Sequence, residues 1–372
     1  MPMITVREAE QADNPGLLAL TRATPMDGRV SIRIDRDPDF FALVRLRGRG
    51  KTFVAIVDGR IVACFSVTYR TVFVNAQPRT IGHMGDLKLD PRHRGQRVLF
   101  RILRAAFDYM DTQDVNMYAC VAARGNERVM SLLRSRLFLP EWRSAGNFRV
   151  YQMLPAFFRR RDPAGGRYAI ALAGNSEIAA VCDLCNGFNA SYQLAPVLDG
   201  TALRAPETPP SVQPPCRVFT ARHDGAIVAT LSALDLANVK QIYVAGVSSP
   251  MRFLLRALGA ARRFIPRLAV PQMGAPLKAL FLRNAAYAPG HGEALRALLA
   301  HIRHLAFREG YSLVTIGIHE HDPLGFMVSG VPRYAFQSTL LLATRPGPNI
   351  ARDPALIDSV LGGIPAEDFS VA

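Results

Sequence analysis

Lysine is nearly missing from this chain. Only Lys51, Lys88, Lys240 and Lys278 occur among 372 residues, so almost all of the 45 basic side chains are arginines. They are dispersed, whereas a nucleic-acid binder gathers its charge in a patch or arm. The net charge of +15 therefore does not make nucleic acid the expected partner; it favours anionic ligands in general. Long apolar runs are missing as well. No stretch approaches the ~20 residues that span a bilayer, and Met1-Pro2-Met3-Ile4-Thr5-Val6 lacks the basic-then-apolar pattern of a secretory signal. No membrane association and a cytoplasmic location are the expectations. Cysteine is scarce: Cys64, Cys120 and Cys216 stand alone, and Cys182 and Cys185 form a C-x-x-C. With no further ligands close by, that pair reads as two small core residues of an apolar helix rather than a zinc or redox site.

What is present is the composition of a packed protein, 49% apolar and 20% charged. The length exceeds one typical core and suggests two domains of roughly 150–180 residues.

Both halves follow one plan. In the first, Thr52–Val57 and Arg60–Tyr69 read as strands around an Asp58-Gly59 turn. A strand at Ile81–Leu89, a basic loop Asp90–Gln96 and a helix-period run from Val98 to about Met110 follow, with Leu99, Ile102, Leu103, Ala106 and Phe107 on one face. Val115–Ala122 reads as a strand, Arg128–Arg136 as a helix and Phe148–Met153 as a strand. Pro155–Gly166 has the composition of a linker. The plan then repeats: Arg217–Ala221 and Ile227–Leu234 around Asp224-Gly225, a strand Leu277–Arg283, a loop Pro289–Gly292, a helix Glu293–Arg308, and strands Tyr311–Ile318 and Ala335–Leu342. A Pro-rich loop, Pro206–Pro215, and a basic helical insert, Met251–Phe264, are extra. The expected division is residues 1–158, 166–345 and a C-terminal tail 346–372.

The chemistry is concentrated in Gly85-Asp86-Leu87-Lys88-Leu89-Asp90-Pro91-Arg92-His93-Arg94-Gly95-Gln96-Arg97-Val98-Leu99. A strand, a tight basic loop and a helix start present unpaired backbone N–H groups and the positive end of a helix dipole, which suit a diphosphate.

This segment resembles the acyl-CoA motif of the GNAT acyltransferases. Leu89, Pro91, Arg94 and Gly95 stand at that family's strand-end aliphatic, proline, arginine and small residue. Asn126 and Leu137-Phe138 resemble the residues flanking its fourth helix. The resemblance covers about Ile4–Leu154. It implies two tandem GNAT-like domains of α/β (α+β) class, each a mixed, mostly antiparallel sheet flanked by helices. It also implies acetyl-CoA or another acyl-CoA as co-substrate, no metal, and transfer to a small-molecule or peptide amine. The donor-binding residues it implies are Leu87, Leu89, Arg94, Gly95, Gln96, Arg97, Val98, Leu99 and Asn126. Two departures matter: the loop's glycine positions hold Arg97 and Leu99, and Leu133 stands where the family often has a proton-donating tyrosine. In the second half Tyr287-Ala288-Pro289-Gly290-His291-Gly292 keeps the glycines and lacks the arginine.

Direct attack of an amine on a thioester requires that the amine lose a proton. Asp86 is the first candidate base; the alternative is a solvated or salt-bridged strand aspartate paired with Lys88, two residues along on the same face. His83, three residues away, is expected on the opposite face by strand alternation. Tyr118 on the next strand is a candidate relay. His301, His304, His319 and His321 read as surface histidines rather than metal ligands. Three other readings use the same fold: a non-catalytic acyl-CoA-binding scaffold, an acyl-carrier-protein-dependent transferase and an aminoacyl-tRNA-dependent one.

Overall fold

The structure, a computed structural model, describes residues 3–25, 30–93, 96–134, 140–157, 166–201, 203, 216–247, 253, 256–257, 259–260, 263, 269–270, 272, 274–345 and 347–371. Arg94, Gly95, Leu137, Phe138, most of the linker, the Pro-rich loop and most of the basic insert lie outside them.

The first half runs β1 (Ile4–Glu8), α1 (Asn14–Ala23), β2 (Val30–Asp35), α2 (Phe40–Arg47), β3 (Arg49–Val57), β4 (Arg60–Val74), β5 (Gln77–Leu89), α3 (Gln96–Met110), β6 (Met117–Ala123), α4 (Glu127–Arg134) and β7 (Arg143–Met153). The second runs β8 (Ala169–Leu172), α5 (Ile178–Asn189), β9 (Cys216–His223), β10 (Ala226–Asp235), β11 (Gln241–Val247), β12 (Pro276–Leu277), β13 (Ala279–Tyr287), α6 (Gly292–Arg308), β14 (Leu313–His319) and β15 (Arg333–Thr344), then α7 (Pro354–Leu361). Local chemistry sets the punctuation. Asp58 and Gly59 are both left-handed (φ 48° and 74°), as are Asp224 and Gly225 (49° and 80°), the twist that closes a two-residue hairpin. Asp39 caps α2 by accepting from the Phe41 amide at 2.9 Å, and Asp353 caps α7 from the Leu356 amide at 3.2 Å.

The expected mixed, mostly antiparallel arrangement flanked by helices is present, but the two halves share one sheet. Its twelve strands run β1-β3-β4-β5-β6-β15-β7-β14-β13-β10-β9-β8. That order is a palindrome of equivalent strands with the last strand of each half exchanged. β15 pairs with β6 from Ser338↔Ala123 to Thr344↔Met117, and β7 pairs with β14 from Val314↔Met153 to His319↔Phe148. The exchange leaves no open strand edge at the centre. A small second sheet, β12-β11-β2, also joins the halves.

On one face α3 covers β3 to β6 through Val98, Ile102, Leu103, Ala106 and Phe107. In the second half, Leu295, Leu298, Leu299 and Ile302 of α6 pack with Phe219, Leu231, Leu280 and Val314. At the centre α7 packs Leu356, Ile357 and Val360 with Val72, Ile81, Met117, Leu340 and Leu342. Cys182 and Cys185 are buried core residues of α5; burial pushes the Cys185 thiol up to about 12. Among the described residues no helix is long and apolar enough to cross a membrane.

Candidate functional site

Two strands of the first half run parallel only briefly. β5 and β6 pair at Gly82↔Tyr118, His83↔Ala119 and Met84↔Cys120, and then diverge. Beyond Met84 the β5 backbone has no strand partner on that side among the described residues. Both strands point the same way, so the loop into α3 and the start of α4 open at one end of this splay. In open sheets a crevice beyond the carboxyl ends of parallel strands is where ligands bind. The second half repeats the feature, with β13 and β14 paired only from Ala279↔Leu313 to Phe281↔Thr315.

A β-bulge sits at each splay. On β5 the register with β4 shifts between Cys64 and Ser66, and Asp86 is left-handed (φ 56°). On β13 the shift falls between Thr230 and Ser232, and Asn284 is left-handed (φ 53°). Asp and Asn are the non-glycine residues that tolerate this conformation best. The structural counterpart of Asp86 is therefore Asn284, and Tyr287, the last residue of β13, takes the place of Leu89. The bulge also breaks strand alternation. His83 and Asp86, expected on opposite faces, instead share the face covered by α2. A Cβ added to Gly85 would stand 3.2 Å from Arg47 Nη1 and 3.5 Å from His83 Cε1.

Asp86 is not paired with Lys88. Its side chain is 3% exposed, and its oxygens accept from Arg36 Nη2 and from Arg47 Nη1, the latter at 2.6 Å. Burial alone would push this carboxyl up. The Arg36 and Arg47 guanidiniums outweigh burial and hold it well below the usual carboxylate range. With both oxygens occupied, Asp86 is poorly placed to accept a proton from an amine. His83 lies beside it, buried, with no hydrogen-bond partner on either ring nitrogen among the described residues. Burial, then the charges of Arg70 and Arg47, hold its pKa well below the usual histidine value, with Asp86 opposing. The imidazole is thus neutral at pH 7.

Tyr118 is placed for packing rather than proton relay. It is buried in the apolar cluster under α3, and its hydroxyl donates to the Met110 carbonyl at 3.3 Å. A Cβ on Gly82 would collide with its ring. The reason is again alternation: Tyr118 stands on the α3 side, away from Asp86 and His83.

The donor-site candidates gather at the open end. Leu87 and Leu89 turn their side chains towards the α3 core, as do Val98 and Leu99 in the first turn of α3, so it is their backbone that borders the splay. Arg97 is exposed in that turn. Gln96 opens the helix. Asn126 is exposed and caps α4, its side chain accepting from the Val129 amide at 3.3 Å. Asp90 braces the loop: its carboxylate takes the Arg92 amide at 2.9 Å and Arg92 Nη2 at 2.7 Å, which lowers it to about 2.

In the second half aromatic rings fill the equivalent end. Tyr287 packs on Phe188 (5.1 Å between centroids) and on Phe326 (6.1 Å). A Cβ on Gly292 would come within 3.4 Å of Phe326 Cζ. Tyr192 donates to Asp322 at 2.9 Å.

Sequence reasoning missed the C-terminal segment. Residues 364–371 are not a free tail; they return across the α2 face of the sheet. Glu367 accepts from Arg70 at 2.6 Å. Asp368 faces Arg283 at 3.4 Å, the Val371 carbonyl accepts from Arg47 Nε, and the Ser370 carbonyl from Lys240 at 3.4 Å. Phe369 packs on Phe148 (5.1 Å). Arg283, a lone charge in the largely apolar run Ala279–Tyr287, was the available signal. Of the histidines, His319 is buried against Phe148 (5.1 Å) rather than at the surface.

Comparison with known proteins bears on the fold. Residues 19–137 match the family model described as Acetyltransferase (GNAT) family. The fold is similar to that of Saccharomyces cerevisiae N-myristoyltransferase with bound myristoyl-CoA and inhibitors, at 11% identity and a TM-score of 0.60, covering 99% of this chain and 88% of that one. It is also similar to a GCN5-related glucosamine N-acetyltransferase region of a fungal multi-domain GH3 β-N-acetylglucosaminidase (13%, TM-score 0.59, 92% and 38%). A GCN5-related N-acetyltransferase from Kribbella flavida matches at 12% identity and a TM-score of 0.53, over 92% and 71%. No curated protein matches the sequence.

Proposed function

We propose that this chain, whose segment 19–137 matches the model of the GNAT acetyltransferase family and whose two halves each have a GNAT-like fold, is an acyl-CoA-dependent N-acyltransferase with its donor site in the first half. The observation that carries the reading is the bulged β5 splayed from β6 and running into the basic loop and α3, all within the family match. Acyl-CoA would lie along the unpaired edge of β5, its diphosphate at the N-terminal turn of α3, where Gln96, Arg97 and Val98 present backbone N–H groups. Arg94 and Gly95 complete that loop in sequence. The thioester carbonyl would be polarised by a β5 backbone amide beside the bulge, and the amine would enter between the splayed strands, where proximity supplies much of the acceleration.

In this reading Asp86 is a positioning residue that fixes Arg36 and Arg47, and His83 is the proton acceptor. Its imidazole is unprotonated at neutral pH and faces the start of the splay. Its low basicity is matched by the surrounding positive charge, which lowers the pKa of an entering ammonium as well. The second half is read as a copy of the fold without a donor site, since Tyr287 and Phe326 occupy the space that acyl-CoA would need.

Calorimetric titration with CoA, acetyl-CoA and a long-chain acyl-CoA tests the reading. Wild-type protein is expected to bind, and Arg94→Ala to weaken binding by about 1.5–3 kcal/mol if one charge-assisted hydrogen bond is lost. Unchanged affinity in Arg94→Ala would move the donor site to the second half. No binding to wild type would end the acyltransferase reading. Comparing the acetyl and long-chain donors assigns acyl length.

A further inference from the structure

The face of the splay under α2 is unusually rich in buried positive charge. Arg36, Arg47, Arg70 and Arg283, with Lys240, surround three carboxylates, those of Asp86, Glu367 and Asp368. One of the three, Asp86, is shared by two guanidiniums. Several donors are left over. Among the described residues, Arg36 Nε and Nη1, Arg70 Nε and Arg283 Nε are buried and have no hydrogen-bond partner, and neither has any ring nitrogen of His83. Arg36 and His83 are 5% and 6% exposed. A buried donor without a partner costs about 1–3 kcal/mol, and more when charged, so a cluster of them is retained where a ligand supplies the acceptors. The neighbours register the same surplus: Lys240 is pulled down to about 7 by burial and then by Arg47 and Arg36.

We infer that the acceptor amine carries an anionic group, a carboxylate or a phosphate, seated on the buried guanidinium cluster of Arg36, Arg47, Arg70 and Arg283. The inference rests on the acyltransferase reading for the identity of the ligand as acceptor, and on the cluster alone for its charge. A bare alkylammonium would be repelled here. An amine bearing an anion brings its own compensation, and guanidinium forks match the planar carboxylate and the phosphate equally well. The same positive field favours the free-amine form that attacks the thioester. The acceptor is thus held by its anionic end beside His83, with its amine directed along the splay towards the donor.

The test pairs acceptors that differ only in charge: glycine with glycinamide, β-alanine with β-alaninamide, and aminomethylphosphonate with its diester. Rates are compared at equal free-amine concentration with the acyl-CoA found to bind. The anionic member of a pair should be favoured in kcat/KM by at least about tenfold, the worth of one charge-assisted hydrogen bond. Arg70→Gln should reduce that preference towards unity, mainly through KM, and Arg70→Lys should restore part of it. The carboxylate and phosphonate arms separate the two anions. Equal kcat/KM within every pair overturns the inference. Thermal unfolding with each anion, run without CoA, gives a second readout that needs no turnover. Stabilisation that Arg70→Gln abolishes, in a protein that fails to bind CoA, would keep the anion site and remove the acyltransferase reading. Absence of stabilisation together with absence of preference overturns the anion site whatever CoA does.

Discussion

Asp86 sits in a left-handed conformation between two guanidiniums, and removing its charge would leave Arg36 and Arg47 buried without a counter-ion. Breaking a buried pair on one side typically costs 3–5 kcal/mol. Asp86→Asn is therefore expected to lower the unfolding free energy obtained from urea titration by about that amount, a loss larger than a surface base would cause. A variant of wild-type stability that has lost turnover alone would return Asp86 to the role of base. His83 makes a different prediction, in pH. Its folded pKa lies well below the usual histidine value of ~6.5, so the unfolded chain binds the extra proton first. The stability this contributes is complete above about pH 6.5 and is lost as pH falls below it. His319, also lowered by burial, acts in the same direction. Asp86, with its pKa held down, adds a further loss only below about pH 4. Thermal midpoints measured from pH 8 to pH 4 should fall with acid, and His83→Gln should flatten the slope between pH 6.5 and 5 by up to about 1.4 kcal/mol per pH unit. An unchanged slope would mean that His83 takes up its proton equally in the folded and unfolded protein, so that its pKa is not lowered by folding.

At the scale of elements, the bulge on β5 and the segment 364–371 together build the site. Gly317 on β14 shows how closely the segment is seated: a Cβ there would collide with the Phe369 ring close to its base, 2.6 Å from Cγ. The ring cannot swing clear without moving its own backbone, so Gly317→Ala is expected to cost roughly 1–3 kcal/mol and to expose the C-terminal residues to limited proteolysis. Resistance equal to wild type would show that the segment adapts in place. The elements themselves were largely legible. Apolar, β-branched runs gave β3, β4 and the start of β5, and Asp-Gly turns marked both hairpins because two left-handed residues in succession demand them. The 3.6-residue period gave α3 and α6. The face on which His83 stands was not legible, because alternation assumes an unbroken strand and one left-handed residue reverses it. Arg36 and Arg47 were not legible as partners of Asp86 either, since they lie 50 and 39 residues away in sequence and no local pattern reports a contact of that separation. The tail was read as an appendage because its apolar anchors, Phe369 and Val371, are too few to show a period.

At the scale of the whole molecule, the exchange of β7 and β15 argues that the halves are not independent. Division at residues 158 and 166 follows the repeat in sequence, yet the partners of β6 and β7 are supplied by residues beyond that point. Without the second half, β6 loses its seven-residue ladder with β15 and β2 loses β11. The central core loses Leu340, Leu342, Leu356, Ile357 and Val360, and the Asp86 cluster loses the Glu367 and Val371 contacts. Removal of these five buried side chains, each worth about 1.5–3 kcal/mol of transfer free energy, is comparable to the whole 5–15 kcal/mol that stabilises a typical domain. The intact chain is therefore expected to unfold in one cooperative transition, with fluorescence and circular dichroism coinciding. A fragment of residues 1–165 is expected to be poorly structured alone and to regain a sharp transition when mixed with residues 166–372. A fragment that folds cooperatively as a monomer would show that β7 can close back onto β6. The exchange would then be an arrangement of two self-sufficient domains rather than the source of their stability.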